Sequence, residues 1–455
     1  MASITSHRAQ QYSQAGGSTL LFLASPTNSF FISVLSKITV GRITVVTETN
    51  THDFGVADAP LHAILRVKSD TFWVRVGLFT DLGLAEAFMY GDVDCEDISS
   101  LIQILIANRR ELLAGTDTMV SSMLARGRAL TSSKFIGSLA NSRANISAHY
   151  DLGNTMFSAF LSDDMNYSSA IFKDFNEDLN SAVSVRESLE DAQIRKVKLI
   201  LKKANILPGQ RVLEIGTGWG CLAILAAKTF DCTVETVTLS SNQAALARKR
   251  IEDAKLSDRI TVHCMDFREC KLKPEWAGSF DKFISIEMIE HVGKDFFTEY
   301  WAVADWALKP DTGVGVVQGI SIPEARVASY DASVDFAQKW VIFPGGYLPS
   351  FSFIVETLNA GSAGRLIVDS VLNIGPHYAR TLREWKRRFL ANWDSIVAKA
   401  LVEQYKLDST GLEIFKRKWI CADYCEAAFK TRTLGDHIVT FTREGNVAFG
   451  CDVEI

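Results

Sequence analysis

The sequence predicts an α/β fold, built on a parallel sheet with helices on both faces, together with a small α+β amino-terminal domain. Between about Leu199 and Asp281, helical patterns alternate with compact apolar runs, which is typical of a parallel sheet. Shorter apolar runs between Val40 and Val76, separated by Gly, Asn and Asp, indicate a second and smaller domain. The length of 455 residues also exceeds what one hydrophobic core usually organises.

The strands of the larger domain are predicted from its short apolar runs. They are Arg211–Ile215, Thr233–Leu239, Ile260–Cys264, Phe280–Ile286, Gly313–Gln318, Arg365–Ile374 and Ile438–Thr442. The segment from Ile322 to Pro349 is rich in Pro, Gly and aromatic residues and breaks the pattern. A helical insert between the last two predicted strands is expected to form a lid or a substrate channel.

The smaller domain is predicted to begin with strands and to continue with helices. The predicted strands are Ile43–Val46, Ile64–Val67 and Phe72–Val76, and the helices contain Leu82–Met89 and Ile98–Ile106. We therefore predict a flexible segment over 1–36, the small domain over 37–113, a linker over 114–141 and the larger domain over 142–455.

Composition and charge exclude several classes of protein. Hydrophobic residues make up 47% and charged residues 22%, as in ordinary globular proteins, and a net charge of −5 gives no basic field for nucleic acid. The eight cysteines are scattered without metal-binding spacing, so neither a metal nor a disulfide framework is expected. The apolar runs near the start of the chain are too short to span a bilayer. We expect a cytoplasmic protein that can contact a membrane surface.

The sharpest local signal is the glycine-rich stretch Glu214-Ile215-Gly216-Thr217-Gly218-Trp219-Gly220, between a predicted strand and a predicted helix. Glycine lets the backbone approach a ligand there, and Glu214 can face the positive end of a cofactor. Such a turn can also be purely structural. The second strand ends in Thr238, with Gln243 beyond, instead of the acidic residue usual for NAD. Asp266 and Phe267 follow the third strand, where they could bind adenine, although Asp266 could also simply cap a turn. Together these residues favour S-adenosylmethionine over NAD.

A series of separated motifs extends this signal over nearly the whole chain from about Val40. They are His149–Asn154, Met165–Ala170, Glu214–Gly220, Val237–Ser240 with Gln243, Glu287–Gly293, Ile342–Gly346, Leu348–Ser350 and Ala427–Lys430. With these motifs the chain resembles the cyclopropane fatty acid synthases and mycolic acid cyclopropane synthases, and more closely their plant and fungal relatives. The resemblance implies a Rossmann-like class I S-adenosylmethionine-dependent methyltransferase fold with helical insertions, one of which binds lipid.

The resemblance also implies a set of site residues. Those around the cofactor are Tyr167, Ser168, Gly216, Gly218, Thr238, Gln243, Asp266 and Phe267, beside Glu214. A bicarbonate ion next to the transferred methyl is implied as well, held by Ser169, Glu290, Gln318, Ile320 and Tyr378. The bacterial pattern has cysteine at the position of Ser169 and histidine at that of Gln318. Because a backbone amide can act at Ser169 and the Gln318 amide still donates, we expect bicarbonate still to be used.

The implied reaction adds a methyl group to an alkene. An alkene is a poor nucleophile, so the site must align it and exclude water, and bicarbonate held by Glu290 and Tyr378 would accept the proton whose loss closes a cyclopropane. Alternatives stay open for single residues. Glu287 and Glu290 could simply favour a helix start, Tyr378 could be a core tyrosine, and His149 and His291 are assigned no chemistry.

Three functions remain in order of preference. The first is a cyclopropane synthase acting on unsaturated phospholipid, the second a methyltransferase of another lipid or specialised metabolite, and the third a non-catalytic lipid-binding relative. The segment from Arg383 to Leu390 combines cations with Trp385 and Phe389, which could contact phospholipid head groups or form a solvated helix face. A homodimer is also allowed, and no nucleic acid partner is expected.

Overall fold

The computed structural model describes residues 28–29, 31–113, 153–332, 336, 339–340, 346–421 and 423–450. The chain divides into two compact units. The first contains described residues of 1–134, 329–342 and 393–431, and the second contains those of 135–328, 343–392 and 432–455. The predicted linker and most of the predicted flexible segment lie outside the described residues, although residues 31–35 are helical.

The first unit is built on a four-stranded sheet in the order β2-β1-β3-β4. Its strands are β1 (Arg42–Val46), β2 (Thr51–Gly55), β3 (His62–Val67) and β4 (Val93–Cys95). The helices that follow its strands are α1 (Thr71–Tyr90), α2 (Ile98–Ala107) and α3 (Arg109–Leu113). Strands β2 and β4 were not predicted, because β2 carries a single buried side chain and β4 has only three residues.

The prediction of a strand over Phe72–Val76 is wrong, because this segment lies in helix α1. Phe72, Trp73 and Val76 are all buried, and their spacing puts them on one face of a helix. In a strand, Phe72 and Trp73 would point to opposite faces. The aromatic and β-branched composition favoured a strand, and burial against the core of this unit prevailed over it.

The carboxyl-terminal part of the first unit is helical. It comprises a π-helical turn at Trp393–Val397 and helices α12 (Ala398–Tyr405), α13 (Ser409–Ile420) and α14 (Asp423–Lys430). Arg417 of α13 donates to Asp94 at 2.7 Å and to the backbone oxygens of Phe88 and Val93. The predicted 142–455 domain is therefore divided, since 393–431 clusters with the amino-terminal residues.

The second unit contains a seven-stranded sheet in the order β10-β11-β9-β8-β5-β6-β7. The strands are β5 (Arg211–Ile215), β6 (Thr233–Thr238), β7 (Ile260–Cys264), β8 (Lys282–Ile286), β9 (Val314–Ser321), β10 (Leu366–Asn373) and β11 (Gly435–Arg443). Each predicted strand of this domain is present, with ends shifted by a few residues. Strands β5 to β9 are parallel, whereas β11 runs antiparallel to β9 and β10, which the sequence did not predict.

Helices cover both faces of this sheet. They are α4 (Asn154–Ser158), α5 (Leu189–Ala204), α6 (Cys221–Phe230), α7 (Ser241–Asp253), α8 (Phe297–Ala307), α10 (Phe351–Ser362) and α11 (Gly375–Ala391). Helix α9 (Val327–Asp331) has its first two residues assigned to this unit and the others to the first unit. Val316 and Ile438 pack in one core with residues of α5, α6 and α7. On the opposite face, Trp301 of α8 contacts the ring of Phe441 edge to face at 5.4 Å.

Among the residues that the structure describes, no helix is long and apolar enough to cross a membrane. Within the same ranges, no group of three or more His, Cys, Asp or Glu side chains could hold a metal ion.

Gly315 should be essential to the centre of the sheet. It pairs with Phe441 across β9 and β11, and a Cβ atom at Gly315 would overlap the Phe441 ring. We expect Gly315→Ala to lower the free energy of unfolding by about 1–3 kcal/mol through overpacking. Thr261→Ala, at an exposed position of edge strand β7, should change it by less than about 0.5 kcal/mol. Urea unfolding measures both, and equal stability of the two variants would contradict this packing.

Candidate active site

A cleft opens at the carboxyl ends of the parallel strands, where the glycine-rich turn connects β5 to α6. Gly216 and Thr217 donate their backbone N–H groups to Val237 of β6 at 2.9 and 3.1 Å, which holds the turn against the sheet. Gly218 has a φ of +51°, and a Cβ atom there would meet no protein atom within 4 Å. The turn is therefore fixed by the sheet and faces open space.

The cleft contains about 930 Å³ of free space, part of it open to solvent. Its lining includes eight of the nine residues predicted to surround the cofactor. These are Tyr167, Ser168, Glu214, Gly216, Gly218, Thr238, Gln243 and Phe267. The lining also contains residues that the sequence analysis did not assign to the cofactor. Among them are Asn166, Trp219, Met265, Glu287 and Met288.

Polar side chains on the β6 side of the cleft form hydrogen bonds with one another. Thr238 Oγ1 donates to Gln243 Oε1 at 3.0 Å, and both side chains are buried. Ser240 caps helix α7 by accepting from the Gln243 backbone N–H at 3.2 Å. On β5, Glu214 accepts from the Thr236 hydroxyl at 2.5 Å. Burial raises the pKa of Glu214 to about 8.

Asp266 is the predicted cofactor residue that the structure does not place on the cleft. Its carboxylate forms a two-point ion pair with Arg268, at 2.8 and 2.9 Å, and caps a short 3₁₀ helix. Its neighbours Met265 and Phe267 do line the cleft. Asp266 therefore caps a turn, which is one of the two roles that the sequence allowed. Its recognition of adenine stays a prediction.

Tyr167 is supported by aromatic side chains. Its ring stacks on Trp385 of α11, with centroids 5.1 Å apart and an angle of 27° between the planes. The rings of Phe157 and Tyr167 meet edge to face, with their centroids 5.2 Å apart. Trp385 is buried, so this residue of the predicted head-group segment supports the cleft from inside the unit.

The cations of the same segment are engaged by carboxylates. Arg383 pairs with Asp178, and Arg388 makes two contacts with Glu190 at 2.7 and 2.8 Å. Arg387 pairs with Glu384 on the same helix at 2.7 Å. The interpretation of Arg383–Leu390 as a head-group surface is therefore not supported. The segment's arginines bind within the unit, and its aromatic residues are buried.

The inner wall of the cleft carries a cluster centred on Glu287, the residue directly after β8. Glu287 Oε1 accepts from the backbone N–H of Ser169 at 2.7 Å and from Gln318 Nε2 at 2.8 Å. Glu287 Oε2 accepts from the Tyr378 hydroxyl at 2.6 Å. One carboxylate thus connects a loop residue, strand β9 and helix α11.

Two further carboxyl groups lie behind Glu287. Glu290 is fully buried, and its Oε1 accepts from the backbone N–H of Ile320. Its Oε2 has no hydrogen-bond partner among the described residues. Asp436 of β11 accepts from Gln318 Nε2 at 2.8 Å. The antiparallel pairing of β11 with β9 places Asp436 opposite Ile320, and hence beside Gln318 on the same face.

Burial dominates the titration of this cluster. It raises the pKa of Glu287, and it raises that of Glu290 to about 8 with help from the charge of Glu287. The pKa of Asp436 is raised well above its usual value by burial and then by the charges of Glu287 and Glu290. Burial likewise raises the pKa of Tyr378. Several of these groups therefore hold protons at neutral pH.

One buried cation lies close to the cluster. Lys196 of α5 is fully buried and donates to Ser168 Oγ at 2.6 Å. Burial lowers its pKa, and the charge of Glu287 opposes that shift. Gln193, one turn earlier, donates to the backbone oxygen of Ser168 at 2.8 Å. Helix α5 thus fixes the cleft residue Ser168 and supplies the countercharge for Glu287.

The structure brings together all five residues predicted to bind bicarbonate. The hydrogen-bond donors among them bind carboxylate side chains of the protein itself. Ser169, Gln318 and Tyr378 donate to Glu287, and Ile320 donates to Glu290. Sequence reasoning missed Asp436 and Lys196, and it gave Glu287 no role in the site. The pair Glu287 and Glu290 was noticed, and the position of Glu287 at a strand end was the available signal. His149 lies outside the described residues.

Comparisons with known proteins agree on one family. The family model described as mycolic acid cyclopropane synthetase matches residues 138–431. The chain is 32% identical to the tuberculostearic acid methyltransferase UfaA1 of Mycobacterium tuberculosis over 392 residues, covering 86% of each chain. It is 32% identical to the cyclopropane-fatty-acyl-phospholipid synthase of Escherichia coli over 384 residues, covering 84% of this chain and 88% of the relative.

A solved structure gives the same result for the fold. The mycolic acid cyclopropane synthase CmaA1, complexed with SAH and CTAB, superposes with a TM-score of 0.54 at 26% identity. The match covers 66% of this chain and 98% of CmaA1. The fold is therefore the α/β Rossmann-like fold of class I methyltransferases. The two sequence relatives above are bacterial, and a closer relation to plant and fungal enzymes is not supported.

Gly218→Val should prevent binding of S-adenosylmethionine, because its side chain would project into the cleft. We expect the affinity to fall at least about tenfold, or ~1.4 kcal/mol. Gly209→Val is the matched control, since Gly209 also has a positive φ with nothing within 4 Å but lies on the surface outside the cleft. Calorimetry compares the two. Equal affinity of both folded variants would show that the turn does not contact the cofactor.

Proposed function

Because this chain belongs to the mycolic acid cyclopropane synthetase family, we propose that it modifies the double bond of an unsaturated acyl chain within a phospholipid and closes a cyclopropane ring there. The chain is an S-adenosylmethionine-dependent methyltransferase of the cyclopropane synthase type. The choice of phospholipid as substrate is supported by the name of the Escherichia coli relative. A protein acting on such a substrate contacts a membrane surface at least transiently.

The observation that carries the proposal is the hydrogen-bonded carboxylate cluster on the inner wall of the cleft. When bound, S-adenosylmethionine supplies an electrophilic methyl group. Adding that methyl to an alkene leaves a carbocation, which becomes a ring only when a proton leaves the new methyl group. Glu287 lies on the cleft wall with its carboxylate held at both oxygens. A carboxylate held in this way supports the proposal that a proton is removed beside the cofactor space.

The polar groups around Glu287 are also shielded from solvent. Ser169, Glu290 and Gln318 are fully buried. Water near a carbocation would add to it and give an alcohol, so its exclusion favours loss of a proton. Exclusion of solvent also lowers the local dielectric and so strengthens the interaction of a developing cation with the carboxylates.

A second candidate function is transfer of a methyl group without ring closure. The relative UfaA1 is named as a tuberculostearic acid methyltransferase, and it is as similar to this chain as the cyclopropane synthase is. The two products differ in which carbon loses the proton. Loss from the new methyl closes the ring, whereas loss from a neighbouring chain carbon leaves a methyl-branched alkene.

Expression in a bacterial host rich in monounsaturated phospholipid, and lacking its own cyclopropane synthase, tests both candidates. We expect phospholipid acyl chains heavier by one CH₂ unit, with the high-field methylene protons of a cyclopropane in the ¹H NMR spectrum. Because the ring and a branched alkene have the same mass, hydrogenation under mild conditions and NMR separate them. Gly218→Val serves as the inactive control.

A branched alkene would establish the second candidate. Acyl chains left unchanged by soluble parent protein, together with modification of a free small molecule, would instead show that phospholipid is not the substrate.

A further inference from the structure

The donors that the family resemblance assigns to a bicarbonate ion are occupied by a carboxylate of the chain. We propose that Glu287 takes the place of bicarbonate and is itself the base that accepts the proton during ring closure. The inference rests on the proposed function, because it assigns the base for that reaction. It replaces the expectation that bicarbonate is used.

The contacts of Glu287 are those expected of a bound anion. Its two oxygens receive three donors, from the Ser169 backbone at 2.7 Å, Gln318 at 2.8 Å and Tyr378 at 2.6 Å. These are three of the five groups expected to hold bicarbonate. The Ile320 N–H, a fourth, already donates to Glu290. A bicarbonate ion would have to displace two carboxylates to use these donors.

Electrostatics also disfavours an additional anion. Glu287, Glu290 and Asp436 already lie in one buried cluster, and Lys196 is the cation whose charge acts on Glu287. Another negative charge would be repelled by the Glu287 carboxylate at low dielectric. Within the cluster, Glu287 has the largest set of donors, whereas Glu290 has the backbone N–H of Ile320. Donors stabilise the ionised form, and this favours ionisation of Glu287 over that of Glu290.

The backbone at Glu287 supports a functional role. Its φ is +47°, a conformation that is unfavourable for residues other than glycine. Its N–H donates to the Gln318 backbone oxygen at 2.8 Å, which ties the strained residue to β9. This conformation turns the chain at the end of β8 and leaves Glu287 on the cleft wall beside Met288.

The proton transfer is balanced without an external base. A C–H bond of the new methyl group breaks, and its electron pair forms the bond to the cationic carbon that closes the ring. The proton goes to a Glu287 oxygen, which becomes a neutral carboxyl. Before the next turnover, that proton must leave to solvent through the open side of the cleft. Tyr378 and Gln318 act as positioning residues that hold the carboxylate.

The parent protein gives the first test. Turnover is measured in buffer purged of carbon dioxide under argon, and again after addition of bicarbonate. We expect the two rates to agree within about a factor of two. Activity that appears only with bicarbonate would overturn the inference and leave the proposed function intact. Failure to modify acyl chains in either buffer would instead contradict the proposed function.

Variants at the same position give the second test. Glu287→Gln keeps the shape and removes the base, so turnover should fall about 100-fold or more while S-adenosylmethionine affinity stays within a few fold. Glu287→Gly suits the positive φ and frees the three donors, so added bicarbonate or formate should restore part of the lost activity. Glu252→Gln, on the exposed surface of α7, controls for loss of a carboxylate.

Retention of full turnover by Glu287→Gln would overturn the inference. Thermal unfolding of each variant identifies any that fail to fold, and in that case the bicarbonate response of the parent decides.

Discussion

The placement of one carboxylate, Glu287, determines how the rest of the active site is arranged. It receives donors from the loop before α5, from strand β9 and from helix α11, three parts of the chain that are distant in sequence. A buried carboxylate is stable only where donors or cations compensate for lost hydration. The sequence must therefore bring Ser169, Gln318, Tyr378 and Lys196 to one point, and this requirement fixes those elements around the cleft.

The cofactor side of the cleft follows from the same arrangement. Ser169 is bound to Glu287, so the adjoining residues Tyr167 and Ser168 are held on the cleft wall, where Trp385 and Lys196 support them. The glycine-rich turn forms another part of the cleft wall, where its hydrogen bonds to β6 hold it. In the proposed mechanism the reacting carbon lies beside this fixed carboxylate, as alkene methylation and proton removal require.

Sequence reasoning predicted the parts of this structure that depend on local pattern. The alternation of helices and strands identified β5 to β9, and the glycine spacing from Gly216 to Gly220 located the cleft. Local pattern failed where tertiary contacts decide, as for Phe72–Val76, whose apolar residues fit a helix face as well as a strand. It also missed Asp436 and Lys196, because the antiparallel pairing of β11 and the burial of a lysine depend on distant partners.

The central claim is that the anion site of this enzyme is filled by its own side chain. Titration with ¹³C-labelled bicarbonate, followed by ¹³C NMR in the presence of S-adenosylhomocysteine, measures this directly and does not depend on catalysis. The account predicts no saturable binding to the parent protein and saturable binding to Glu287→Gly, in which the Glu287 carboxylate no longer accepts from Ser169, Gln318 and Tyr378. Saturable binding of bicarbonate to the parent protein would contradict it.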